Sequence, residues 1–147
     1  MRIKFDRVSE AEIGVLIEAF YARVRQDPLI GPVFNDAIHD WPHHLEKLQA
    51  FWSSVMLGTG RYKGRPMPAH VQHGDRISRA SFDRWLALWR ATTADLFEDG
   101  PAAVFAEKAE RIGESLLMGI LFHKDRAALL RAEQAAAASP AWSPDTA

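Results

Sequence analysis

The chain has 147 residues, nearly half of them apolar, with 18 basic side chains against 19 acidic ones and no cysteine. That suits one domain around one hydrophobic core, and the balanced charge, without a basic run or stripe, argues against nucleic acid as a partner. Without cysteine there are no disulfides, zinc–thiolate sites, iron–sulfur ligands or thiol nucleophiles, so any metal chemistry must use nitrogen or oxygen ligands.

The start, Met1 to Asp6, has no apolar signal core, and the longest apolar stretch, from Leu116 to Phe122, is far shorter than a membrane span. The expectation is a soluble, cytoplasmic protein with no membrane partner. Ser9 and Glu12 read as an S-x-x-E capping box that opens a first helix. Its apolar positions, Ile13, Leu16, Ile17, Phe20, Tyr21 and Val24, follow helical spacing. The helix should stop before Pro28, and a short turn or helix covers Leu29 to Ile38. Asp40, Trp41 and Pro42 start a second long helix that runs to Leu57, because proline is tolerated in a first turn. Gly58 and Gly60 end it. The stretch from Arg61 to Asp75, with its glycines and prolines, reads as a loop with at most a short helix near His70.

A third helix is expected from Ser81, carrying Phe82, Trp85, Leu86, Trp89 and Leu96 on one side. Pro101 opens a fourth, with Phe105, Ala109, Ile112, Leu116 and Ile120 as its buried stripe and Arg126 to Glu133 as its continuation. No alternating strand and no internal repeat is visible, so the fold class is all-α. The domain is expected to occupy residues 1–134, and the Ala-Pro-Ser tail over 135–147 reads as disordered.

Six histidines invite a metal reading. His39 and His43 are spaced i, i+4, but the Trp41–Pro42 step breaks the helix between them, and a three-histidine site with His44 is disfavoured. His44 is followed by Leu48, Phe51, Trp52 and Val55 on the apolar face of its helix, so its imidazole either pairs within the core or faces a cavity. Tyr21 poses the same choice: a structural tyrosine reaching the surface, or a phenol turned into a pocket. His70 follows Pro66 and Pro68 in a restrained segment and is either an exposed loop residue or a held ligand, with His73 at i+3. His123 and His39 read as surface residues. Trp85 and Trp89, one turn apart, fit core filling when taken alone. Together with Tyr21 and Trp52 they describe aromatic helices closing on a pocket for a flat apolar ligand. There is no H-E-x-x-H, G-x-G-x-x-G, phosphate loop or G-x-S-x-G elbow, and the corresponding zinc, nucleotide and hydrolase mechanisms have no foothold.

Four segments, in this order and spacing, make residues 9–125 resemble a group III truncated hemoglobin: Phe20 to Phe34, Trp41 to His44 with Phe51 and Trp52, Tyr62 to His70, and Phe82 to Trp89. The glycine pairs that mark the other truncated groups are missing, as in group III. The resemblance implies a two-over-two helical sandwich around non-covalent heme b. It makes His70 the proximal iron ligand, Tyr21 the distal tyrosine, His44 the distal histidine and Trp85 the tryptophan over the distal pocket. The register of Phe51 and Trp52 and the apolar face favour His44 over the adjacent His43. Phe34 matches the phenylalanine packed on the heme face, Leu48 lies one turn beyond His44, and Trp52 and Trp89 complete the expected cofactor-facing set. No motif marks the propionate partners, for which Arg76 and Arg79 are candidates.

Such a site binds oxygen, nitric oxide and carbon monoxide. Because bound oxygen takes on negative charge, donors from Tyr21 and Trp85 would slow its release. Slow release argues against simple transport and for redox or detoxification chemistry with a reductase: nitric oxide dioxygenation, or peroxide activation if Asp75 supplies a carboxylate to His70. The competing readings are a gas storage or sensing module without turnover, and a cofactor-free helical interaction protein.

Overall fold

The computed structural model describes residues 3–138, and the regular structure within them is helical apart from one isolated β-bridge. Helix α1 (Glu10–Gln26) buries Ile13, Leu16, Ile17, Phe20, Tyr21 and Val24, the stripe expected from its spacing. The Ser9 box does not form as the sequence suggests. Ser9 is the N-cap, but its hydroxyl turns to the Glu12 carboxylate and caps no backbone N–H. After α1 the buried Asp27 carboxylate accepts the N–H groups of Leu29 and Ile30, each at 3.0 Å, and so fixes the turn at Pro28. Helix α2 (Gly31–Ala37) follows at once. A β-carbon at Gly31 would lie 2.9 Å from the Arg25 carbonyl oxygen, too close for any other residue without moving backbone.

Helix α3 (Trp41–Leu57) is capped by Asp40, whose side chain accepts the His43 N–H, and it ends at Gly58 in the left-handed region (φ 67°). Helix α4 (Pro66–Gln72) is the short helix near His70 and passes into a single 3₁₀ turn at Gly74–Arg76. Helix α5 (Arg79–Leu96) starts two residues earlier than its apolar pattern suggests. A reciprocal Ser78–Ser81 capping box lies there, not at Ser9. Helix α6 (Asp99–Ala138) takes up all the remaining described residues, about 60 Å of helix at 1.5 Å per residue. Residues 135–138 of the expected tail are therefore helical, and 139–147 lie outside the described residues.

Helix α1 packs on α3 and on α5, and α5 packs on α6, giving two crossed pairs: a two-over-two sandwich. Phe5 closes the end of the core by bridging to Phe97, with backbone hydrogen bonds to Leu96 and from Glu98. In α6, Phe105, Ala109 and Ile120 are buried as the expected stripe has them, while Leu117 rather than Leu116 is the fully buried member of its turn. No described helix is long and apolar enough to cross a membrane.

Candidate functional site

The site is built from one side chain of each of several helices. Tyr21 comes from the buried stripe of α1 and is only 4% exposed. Its ring meets Phe34 of α2 at 5.9 Å between centroids and His44 of α3 edge-on at 6.1 Å. Trp41 is the residue that sequence reasoning used only to start a helix. It lies 6.0 Å from Tyr21 and 5.7 Å from His44, and the Arg25 guanidinium stacks 4.5 Å over its ring. The cleft on the outer side of Trp41, about 640 Å³, is lined by Arg25, Asn35 and His39. The candidate donors converge on the inner side.

Two pKa shifts describe the electrostatics. Burial pushes the Tyr21 phenol above the ordinary tyrosine range, against the opposing effect of the Trp85 indole as hydrogen-bond donor, so Tyr21 stays protonated. Burial also pulls His44 below the ordinary histidine value, helped by the nearby charges of Lys47, His70 and His43. His44 is thus a neutral imidazole at physiological pH.

Trp85 of α5 is half-buried and stacks on Trp89 (5.8 Å, 5° between planes), which stacks in turn on Trp52 (4.5 Å, 23°). The stack runs from the site into the core. Trp89 has no exposed surface and donates its indole N–H to the Phe105 carbonyl at 3.0 Å. Trp52 is 3% exposed. These two, expected to face a cofactor, are thus buried among aromatic neighbours. Both lie behind Trp85: Trp89, one turn further along the same face of α5, reaches α6, and Trp52 of α3 stacks on it. Phe34 and Leu48 are half-buried and packed against the core cluster at its edge.

His70 sits on the exposed side of α4. Its Nδ1 lies 2.6 Å from the Pro66 carbonyl oxygen, one turn back. A carbonyl can only accept, so in the neutral ring Nδ1 carries the proton and Nε2 keeps the lone pair available to a metal. Asp75, considered above as a carboxylate for this ring, is not its partner in that bond. The segment is held by α6: Met67 passes over Gly119 with no room for a β-carbon, and Lys124 donates to the Ile77 carbonyl at 2.6 Å. The two propionate candidates are already engaged, Arg76 with Asp36 at 2.7 Å and Arg79 with Glu114. His39, His43, His73 and His123 are exposed, and no group of three or more His, Asp or Glu among the described residues could hold a metal ion.

Sequence reasoning also missed the Asp27–Arg84 pair, which ties the turn after α1 to α5 at 2.7 Å. Burial alone would raise the Asp27 carboxyl, but the Ile30 N–H, Arg84 and the Leu29 N–H outweigh it and hold the carboxyl below the usual range.

Comparison with known proteins gives a consistent picture. Residues 4–102 match the family model described as bacterial-like globin. A group 3 truncated hemoglobin of Campylobacter jejuni is 31% identical over 114 residues, which is 75% of this chain and 89% of that protein. The crystal structure of a group III truncated hemoglobin from Campylobacter jejuni superposes with a TM-score of 0.73 at 30% identity, covering 80% of this chain and 95% of the other.

Proposed function

Because this chain belongs to the bacterial-like globins, as a group III truncated hemoglobin that binds heme and small gaseous ligands such as oxygen, we propose that it is a heme b oxidoreductase that removes nitric oxide. In this reading one nitric oxide, one oxygen and one electron from a reductase give one nitrate. The donor set fits heme: a histidine with Nε2 free and its tautomer set by Pro66, together with an aromatic pocket that holds a protonated Tyr21. When bound, heme supplies an iron that takes a diatomic ligand and cycles between ferrous and ferric states.

His70 is the proposed proximal ligand, with Tyr21, His44 and Trp85 on the distal side. Tyr21 is kept protonated by burial and its oxygen accepts the Trp85 indole N–H, which orients the phenol and leaves its O–H to donate to a ligand atom that gains negative charge. His44, neutral and half-buried, adds a third polar group beside Tyr21. Phe34 and Leu48 provide apolar edges that exclude water, which strengthens each of these donors. On the proximal side, the partner of His70 is a backbone carbonyl. A carbonyl makes the imidazole a weaker electron donor than a carboxylate would, which favours ligand binding and dioxygenation over the O–O cleavage of a peroxidase.

The observation that carries this reading is the pairing of a buried, protonated Tyr21 with Trp85. Stopped-flow release of oxygen from the reduced protein tests it beside Tyr21→Phe. Losing one hydrogen bond to a charged ligand, about 1.5–3 kcal/mol, should speed release by roughly 10- to 150-fold. Nitric oxide consumption with a reducing system should fall in the same variant. If release quickens and consumption does not change, the protein is a storage or sensing module. If release does not change, Tyr21 is structural.

A further inference from the structure

From Ala128 to Ala137 every residue of α6 is exposed, so this end of the helix stands clear of the body. This end and the turns just before it nonetheless carry Phe122, Leu129 and Leu130 at 61, 60 and 46% exposure. At 100° per residue these three share one stripe with Arg126, Glu133 and Ala137. The opposite side, with Ile120, Lys124 and Arg131, lines the groove toward the 3₁₀ turn. The apolar stripe therefore points away from the chain's own fold.

We propose that this stripe is a self-association surface on which a second copy docks antiparallel through a two-fold axis between Leu129 and Leu130. The charges select that arrangement. About this axis Leu129 meets Leu130 of the second copy, Phe122 meets Ala137, and Arg126 meets Glu133, twice by symmetry. Parallel pairing in register would set Arg126 against Arg126 and Glu133 against Glu133, both repulsive. Charged pairs flanking an apolar seam are a known means of setting partner orientation between helices. The paired stretch from Phe122 to Ala137 spans roughly 24 Å, too short to reach the ~1,200 Å² of a standard interface, so the dimer is weak and concentration-dependent.

Sedimentation velocity of the full chain from ~10 μM to ~1 mM tests the surface, since that range brackets weak association. The wild-type chain should shift from monomer to dimer. Arg126→Glu and Glu133→Arg should each weaken the dimer at least tenfold, and the two combined should restore it. All these positions are exposed, so the fold is not put at risk. The chain's lack of cysteine adds a second readout. A mixture of Phe122→Cys and Ala137→Cys chains should cross-link faster than either alone. A monomer throughout the range, or a dimer indifferent to both charge reversals, overturns the proposal. So does a monomer whose Leu129 and Leu130 amides lose exchange protection when 139–147 are deleted, because the chain's own C-terminal segment would then be the occupant.

Discussion

The two sides of the site are made differently. On one side Tyr21, Trp85 and His44 stand on long helices, backed by Phe20, Trp89 and Trp52 in a continuous aromatic core. On the other, His70 stands exposed on the seven-residue α4, seated on α6 through Met67 over Gly119 and through the Lys124 bond to Ile77. The side proposed to select a ligand thus shares its residues with the hydrophobic core, whereas the side proposed to hold the iron is separable from it. Substitutions on the first side should cost stability and function together. On the second, function should change with the fold intact.

The largest stability effect should come from Trp89→Ala. It removes a fully buried indole, two stacking contacts and the bond to Phe105, and should cost about 3–5 kcal/mol in urea or thermal unfolding. A cost below 1 kcal/mol would mean that Trp89 is not core and would return it to the cofactor wall. Asp27→Ala should cost about 2–3 kcal/mol, since it strands the Leu29 and Ile30 N–H groups and the Arg84 contact. The folded-state pKa of Asp27 is depressed, so its contribution is complete above the unfolded carboxylate value and is lost as pH falls through the folded value. The gap between wild type and variant should accordingly close on acidification, and a gap independent of pH would assign the loss to packing. His70→Ala should leave stability within about 0.5 kcal/mol, being exposed and outside the core, yet abolish the histidine-ligated Soret spectrum with hemin. Equal destabilisation by His70→Ala and Trp89→Ala would erase the distinction between the two sides.

The sequence revealed helices best where one face is uniformly apolar. The α1 stripe is buried residue for residue, and the break at Pro28, the start at Asp40 and the stop at Gly58 all lie where local chemistry demands them. What it concealed depended on rotation or tertiary pairing. Ser9 and Glu12 have the spacing of a capping box, but spacing cannot choose between a serine that bonds the backbone and one that bonds the glutamate. The actual box, Ser78 with Ser81, lacks the usual acidic partner. Trp85 and Trp89 look alike in sequence, and only the packing of α5 on both α1 and α6 sends one to the site and the other to the core. Asp27 reads as a turn residue before proline, and its partner Arg84 is 57 residues away. Arg76 and Arg79 looked available because their carboxylates are equally remote.

The bond from His70 to the Pro66 carbonyl links the ring to main chain one turn earlier in its own helix. An orienting side chain can be mutated away, but a carbonyl is supplied by whatever residue occupies the position. The ring's aim is therefore inherited with the helical turn and tolerates sequence drift around it. It is lost only when that turn unwinds, so the local order of α4 is itself the variable through which this side of the site would be weakened or tuned.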